Sequence, residues 1–394
     1  MLTPTKMCRR LNSNNQINMK YLISGGGTGG HIFPAVSIAN ALKVADKDAE
    51  ILFVGALGRM EMERVPQAGF KIIGLPVRGF NRAQPWKNIS VLFDLWRSMR
   101  QAKKIVREFQ PDAAVGVGGY ASGAAMRVAA KMGIPVILQE QNGFAGVTNK
   151  LLKDDARLIC VAYENMEKFF PKDKILLTGN PVRQNLTTGD KKHAIEWLKQ
   201  EYGATFKADK PTVLIIGGSL GARTINEAMM GALPILAERG IQVIWQTGKT
   251  YIDKILANIG EDKIAAYKQQ GIVVTPFLSN MPDAYAIADI VVSRAGASSI
   301  SELCLLGKAS ILIPSPNVAE DHQTHNAMAL VRKDAALLVK DVECGDKLLP
   351  TILDLLSDQP RQETMRKNIL TLAQTDSAAR IADEVIRIAK ENKK

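Results

Sequence analysis

Short runs of apolar, largely β-branched residues recur along the chain. Between them lie longer stretches whose apolar positions fall at i, i+3 and i+4. The first series of runs is Tyr21–Ser24, Ile51–Val54, Ile72–Leu75, Ala113–Val117, Val136–Gln139, Leu158–Val161 and Ile175–Thr178. The second is Val213–Ile216, Gln242–Gln246, Ile272–Thr275, Ile290–Ser293, Ser310–Ile313 and Ala336–Val339. Runs this short and this continuously apolar predict strands buried on both faces. The stretches between them, such as His31–Ala45 and Thr224–Arg239, predict the helices that cover those faces. The alternation therefore predicts an α/β fold on parallel sheets.

The pattern starts twice. Tyr21-Leu-Ile-Ser-Gly-Gly-Gly-Thr-Gly-Gly30 opens the first half and Val213-Leu-Ile-Ile-Gly-Gly-Ser-Leu-Gly-Ala222 the second. Each reads as a strand, a Gly-rich turn and a helix. Two Rossmann-like domains are expected, over residues 19–182 and 183–375, joined near Gly179-Asn-Pro-Val-Arg183, where Gly and Pro interrupt the pattern. Residues 376–394 carry one amphipathic helix, Ser377–Lys394. Residues 1–18 hold Lys6, Arg9 and Arg10 but no apolar signal-peptide segment; they read as a disordered basic arm or as chain upstream of a true start at Met19.

Length and composition fit this plan. A chain of 394 residues, 46% hydrophobic, is long enough for two cores. Cys8, Cys160, Cys304 and Cys344 are too scattered for a zinc or redox spacing, which points to reduced thiols in a cytosolic protein. No run reaches the ~18–20 apolar residues of a membrane span. The formal charge of +12 changes the picture more, because it favours an anionic partner: nucleic acid, phosphate or membrane surface.

Glycine at a strand-to-helix turn lets the backbone approach a ligand, and the helix that follows offers free N–H groups; together they suit phosphate. Gly25-x-Gly27-x-x-Gly30 matches the dinucleotide fingerprint, but the second strand ends Val54-Gly-Ala-Leu-Gly58 without the acid that holds an NAD ribose. The second half, ending Trp245-Gln-Thr-Gly248, lacks it too. Either loop alone is also the sequence of a plain tight turn. With the third Gly-rich turn, Gly116–Gly123, phosphate binding is the better account of the set. Gly217-Gly-Ser219-Leu-Gly221 also fits a nucleophile elbow, with Asp289 and His322 in triad order. The equivalent first loop has Gly27 in the serine's place, and a hydrolase leaves the duplication unexplained.

The most specific stretch is Ser293-Arg-Ala-Gly-Ala-Ser-Ser-Ile-Ser-Glu302. A strand ends, a Gly turn follows, and hydroxyl residues open a helix, which suits a diphosphate. Glu302 lies one turn in, where a carboxylate accepts two hydrogen bonds from a vicinal diol such as a ribose; it is equally an ordinary first-turn glutamate.

These pieces together resemble glycosyltransferase family 28, the peripheral membrane N-acetylglucosaminyltransferases of peptidoglycan synthesis, over essentially the full length from Met19. The resemblance rests on Gly26-Gly-Thr-Gly-Gly-His-Ile-Phe-Pro34, Gly118-Gly-Tyr-Ala-Ser122, Glu140-Gln-Asn142 with Gly146, Gly179-Asn-Pro-Val-Arg183, Gly217-Gly-Ser-Leu-Gly-Ala-Arg223 and Arg294-Ala-Gly-Ala with Ser301-Glu302. It implies a GT-B fold, two Rossmann-like domains facing across a cleft, with the last helix returning to the N-terminal domain. It implies transfer of GlcNAc from UDP-GlcNAc to lipid I, the undecaprenyl-diphosphate-linked muramyl pentapeptide, giving lipid II. It implies a peripheral location on the cytoplasmic face of the bacterial inner membrane, alongside cell-wall synthesis machinery. Position by position, it assigns UDP-GlcNAc contacts to Thr28, Gly29, Gly30, Asn142, Arg183, Ser219, Leu278 (through its backbone), Ala297, Ser298, Ser299, Ile300, Ser301, Glu302 and Gln323. The sequence departs from the pattern at His322, where the family commonly has a second glutamine, and at Gln139, where many relatives carry histidine.

Inverting transfer must stabilise departing UDP, deprotonate the acceptor and align both substrates. Helix N-termini after Ser219 and Gly296, with Arg183, would supply the first, so no obligatory cofactor and no metal site are expected. His322 and His325, at i, i+3, lack the further ligands of a metal site. The base is left between His31, at a helix start beside the cleft, and Glu140; His31 reads equally as a group that orients the loop.

A lipid-linked acceptor requires a membrane-facing surface. Residues 78–107 hold eight basic residues against one acid, Asp94, with Phe80, Trp86, Trp96 and other bulky apolar groups between them. That mixture suits an interfacial helix on anionic lipid. Leu92 and Leu95 are expected in the core; Phe80, Trp86, Trp96, Arg100, Lys103, Lys104 and Arg107, with Tyr120 and Ser122, form the expected membrane and acceptor face. A nucleic-acid partner is not expected, since no recognition motif accompanies the charge. The alternatives are other GT-B enzymes using a UDP sugar: a UDP-GlcNAc 2-epimerase or a lipid galactosyltransferase.

Overall fold

The computed structural model describes residues 18–77, 88–182, 184–218, 220–318 and 321–393, with no side-chain placement for residues 88–92, 184 and 185. The readings made for residues 1–17, Phe80, Trp86, Arg183 and Ser219 lie outside the described residues.

Among the described residues the chain forms two parallel sheets. The first contains β1 (Lys20–Gly25), β2 (Glu50–Ala56), β3 (Lys71–Leu75), β4 (Ala113–Gly118), β5 (Val136–Glu140), β6 (Leu158–Val161) and β7 (Ile175–Leu177), in the order β3-β2-β1-β4-β5-β6-β7. Its helices are α1 (Gly29–Ala45), α2 (Glu61–Gln67), α3 (Asn88–Phe109), α4 (Tyr120–Lys131) and α5 (Val147–Leu152). After α6 (Lys191–Tyr202), the second sheet contains β8 (Thr212–Ile216), β9 (Gln242–Gln246), β10 (Ile272–Thr275), β11 (Ile290–Ser293), β12 (Ala309–Leu312) and β13 (Leu337–Leu338), in the order β10-β9-β8-β11-β12-β13. Its helices are α7 (Arg223–Glu238), α8 (Ile252–Ile259), α9 (Glu261–Gln269), α10 (Met281–Ile287), α11 (Ala297–Leu306), α12 (His322–Val331), α13 (Cys344–Ser357) and α14 (Gln359–Leu370), and α15 (Ser377–Asn392) follows them in the chain.

All thirteen apolar runs are strands, within a residue or two at their ends. The reason is visible in their burial: β4 and β5, like β8 and β9, are buried at every position, because helices cover both faces. Helices on the two faces of the first sheet give it two cores, one around Leu22, Ala114 and Leu138, the other around Tyr21, Val115 and Ile137.

Each sheet reverses direction between its first and fourth strands, β1/β4 and β8/β11. In open α/β sheets, ligands bind beyond the carboxyl ends of the strands at that switch point. α15 belongs spatially to the first sheet. Its Ile381, Ala382, Val385, Ile388 and Ala389 lie in one core with Ile32, Ala35, Ile38 and Val115, and Arg380 donates to the Leu177 carbonyl at 2.9 Å.

Candidate active site

A cleft of about 910 Å³ lies between the two switch points. The first domain lines it with Thr28, Gly29, Gly30, His31, Phe33, Gln141 and Asn142. The second contributes Gly217, Gly218 and Gly221–Thr224 from the loop before α7 and its first turn, and Gly296–Ser299 and Glu302 from the start of α11. Leu278, His322 and Gln323 also line the cleft. The third glycine turn packs on the first: Gly119, at φ +91°, lies so near it that a Cβ there would come within 2.5 Å of the Gly26 carbonyl oxygen.

Three of the helices that begin at this cleft, α1, α7 and α11, start at Thr28, Ala222 and Gly296. None of these three has a side-chain cap, whereas α10, which also begins at the cleft, is capped by Asn280. First-turn amides without a cap carry the positive end of the helix dipole and bind anions. The Ser298 hydroxyl adds a buried oxygen with no partner among the described residues. Glu302 is nearly buried one turn further in, and its Oε2 accepts from the Tyr285 hydroxyl at 3.1 Å. The cleft is therefore built to hold an anion beside a polar, carboxylate-lined subsite.

His31 is half-buried at the start of α1, with Nδ1 3.1 Å from Thr28 Oγ1. Burial pushes its pKa below the ordinary imidazole value; the Glu61 carboxylate and a hydrogen bond to the Gly26 backbone act against this, and His322 acts with it. A neutral imidazole at a cleft wall can accept a proton near neutral pH.

The Glu140 carboxylate does not face the cleft. It is 1% exposed, and its oxygens accept from the Asn142 and Gly146 amides at 3.1 and 2.9 Å and from the Asn142 and Asn149 side chains at 3.4 and 2.9 Å. Burial pushes its pKa up and those four donors oppose it. Its chemistry here is to shape the loop that presents Asn142.

Other expected residues divide between two sides of α11. Ala297, Ser298, Ser299 and Glu302 line the cleft, but Ile300 and Ser301 line a separate cavity of about 480 Å³ between the domains. Helical geometry turns them away, and Ser301 Oγ accepts from Asn180 at 3.1 Å and donates to the Ala297 carbonyl at 3.0 Å. The Leu278 amide is already used, donating to Gln246 Oε1 at 3.1 Å, which leaves its carbonyl as the backbone group to offer a base. Gln323 Oε1 accepts from the Ser315 amide at 2.9 Å.

On the expected membrane and acceptor face, Trp96, Arg100, Lys103, Lys104 and Arg107 are exposed along α3, and Tyr120 is exposed at the start of α4. Ser122 is not there: it is fully buried beneath β4, against the close approach at Gly116. Leu95, expected in the core, is instead exposed beside Phe93 and Trp96.

Sequence reasoning passed over several wall residues. Arg294 donates to the Ile313 and Pro314 carbonyls at 3.2 and 3.3 Å and to Thr224 Oγ1 at 3.1 Å, and pairs with Asp341, tying three cleft loops together. Gln246 joins two more, since its Nε2 donates to the Gly218 carbonyl at 3.2 Å. Its place at the end of β9, where a dinucleotide site would carry an acid, was the available signal.

Residues 21–160 match the glycosyltransferase family 28 N-terminal domain, and residues 212–385 match the family's C-terminal domain. The chain belongs to glycosyltransferase family 28. This family 28 enzyme is 54% identical over 95% of its length to a Bacteroides fragilis protein, of which it covers 97%. It is 49% identical over 97% of its length to one from Porphyromonas gingivalis, covering 99%. Both relatives are named UDP-N-acetylglucosamine–N-acetylmuramyl-(pentapeptide) pyrophosphoryl-undecaprenol N-acetylglucosamine transferase. The crystal structure of Acinetobacter baumannii MurG is similar, with a TM-score of 0.69 and 26% identity over 94% of this chain and 99% of that one. A Neisseria meningitidis UDP-GlcNAc 2-epimerase shares the fold at a TM-score of 0.65 and 15% identity over 95% of this chain and 100% of that one. Family 28 membership makes the protein a glycosyltransferase with the GT-B fold. Among the described residues, no helix is long and apolar enough to cross a membrane.

Proposed function

We propose that the protein transfers N-acetylglucosamine from UDP-GlcNAc to the C4 hydroxyl of the N-acetylmuramyl pentapeptide of lipid I, with inversion, forming lipid II. The observation that carries this reading is the convergence of three uncapped helix starts on one cleft, with His31 on the wall opposite α11. The names of the 54%- and 49%-identical relatives supply the substrates.

The donor diphosphate lies against the α11 start and the Ser298 hydroxyl, and Glu302 takes the ribose diol. His31 accepts the proton of the acceptor hydroxyl. The new bond forms between that oxygen and the sugar C1, the C1–diphosphate bond breaks, and the electron pair leaves on UDP. Negative charge grows on the diphosphate as the bond breaks, so fixed amides there stabilise the transition state more than the bound substrate. Glu140, Gln246 and Arg294 act behind the wall by fixing its loops. The exposed strip of α3 meets the anionic bilayer that carries the acceptor, making the enzyme peripheral.

Incubation with radiolabelled UDP-GlcNAc and a short-chain lipid I analogue tests the reading. Labelled disaccharide-lipid and free UDP are expected. Free UDP with 2-epimerised sugar, and no labelled lipid, would replace it with an epimerase.

A further inference from the structure

Beneath the first glycine loop lies a carboxylate that the reaction described above leaves unused. Glu61 opens α2 and is fully buried. Its Oε1 accepts from the Ala56 amide at 3.0 Å, at the end of β2. Its Oε2 accepts from the Gly27 amide at 2.9 Å, inside the loop that reaches the cleft. The loop is moulded on this group: a Cβ on Gly26 would come within 2.2 Å of Oε1. A buried carboxylate persists only with such partners. Neighbouring Glu63 is exposed, so burial of Glu61 is particular to that side chain.

The glycine loop also carries His31. Its ring approaches Thr28 Oγ1 through Nδ1 at 3.1 Å and interacts with the backbone of Gly26, the residue against which the Glu61 carboxylate packs. The charged groups that act on the ring are Glu61 from α2 and His322 from α12.

We propose that Glu61 is a positioning residue for sugar transfer: it fixes the first glycine loop through the Gly27 amide and sets a negative charge against the imidazolium that His31 becomes on taking the acceptor proton. Glu61 neither gains nor loses a proton in the step. The inference rests on His31 as the base, and it assigns a role to a side chain that never touches substrate.

The test is an NMR titration of the imidazoles in the full-length protein, which has four histidines; the His31→Gln variant identifies the His31 signal. Glu61→Gln removes the charge and keeps the shape; its one carboxamide oxygen can stay on the Gly27 amide, and its NH2 group then faces the Ala56 amide, which lowers stability but keeps the loop contact. Its His31 midpoint should fall by about one pH unit. Its kcat should fall about tenfold with donor KM changed less than about twofold, and its acid limb should move down with the midpoint. Glu61→Asp keeps the charge but shortens its reach. It should leave the midpoint within about 0.3 unit and raise donor KM about threefold as the loop loosens, and it carries the test if Glu61→Gln does not fold. A His31 midpoint unmoved in Glu61→Gln, or a donor KM unmoved in Glu61→Asp, overturns the proposal. Because the titration needs no turnover, it is decided separately from the transferase reading, which the labelled-product assay of the unaltered protein decides.

Discussion

His31 is held below its ordinary pKa by burial, so it is neutral near neutral pH and charges only when the solution becomes acidic. The unfolded chain takes up that proton near pH 6.5, the folded one at lower pH. The stability present above ~6.5 is therefore lost as pH falls through the folded value, and activity is lost in the same direction because a protonated imidazole accepts no proton. A kcat profile with a single acid limb below ~6.5, abolished in His31→Gln, is expected; a limb retained in that variant would place the base elsewhere. Glu140 predicts the opposite behaviour. Glu140→Gln turns an NH2 group toward donors and should cost about 2 kcal/mol in denaturant unfolding, while lowering kcat far less than His31→Gln does. Loss of turnover at unchanged stability would return Glu140 to the chemistry. These two residues also show what a sequence can carry about a site. Motif and spacing bring His31, Asn142, Ser298 and Glu302 to one cleft. They do not separate buried Glu61 from exposed Glu63, because burial is decided by the end of β2 together with the glycine loop, 34 residues upstream. Nor do they reveal that Ile300 and Ser301 turn to the far side of α11 until that helix's start is known.

At the scale of elements, the apolar strands are legible because parallel strands covered on both faces leave no alternation to misread. α3 is less so. Its residues Ser98, Ala102, Ile105 and Val106 are buried, while Phe93, Trp96, Arg97, Arg100, Lys103, Lys104 and Arg107 follow one another along the opposite, exposed face. Phe93 stacks on Trp96 at 5.9 Å between ring centroids, and the Arg100 guanidinium lies 4.8 Å from the Trp96 ring. Apolar residues on both faces of one helix blur its periodicity, which is why Leu95 reads as core yet is exposed. An exposed aromatic and basic strip fits a surface that inserts rings and attracts anionic headgroups, at about 1 kcal/mol per basic residue. Changing Lys103, Lys104 and Arg107 to Glu should weaken sedimentation with anionic vesicles by at least about tenfold and lower activity on lipid acceptor, with UDP-GlcNAc affinity unchanged. A fall in donor affinity would make the strip structural.

The whole molecule is tied together by contacts that cross between its halves. The Arg64 guanidinium of α2 lies 4.5 Å from the Phe277 ring after β10, and Asn180 bridges the Gln141 carbonyl and Ser301 of α11. The largest tie is α15, which follows the second sheet in sequence and completes the core of the first. Chain order and packing thus make opposite predictions for a cavity in α15. Ile381 is fully buried against α1 and β1 residues; Ile352 of α13 is equally buried against the second sheet. Truncating either to Ala should cost ~2–5 kcal/mol, a large share of a domain's net stability. If packing governs, Ile381→Ala loosens the first domain although its codon lies beyond the second. Amide hydrogen exchange should then rise in β1 and β4 and stay unchanged in β8 and β11, with Ile352→Ala giving the reverse. Exchange rising in β8 and β11 for Ile381→Ala would show that α15 stabilises the domain it follows. Exchange rising in both sheets would mean that the halves unfold as one unit, through the contacts that cross between them.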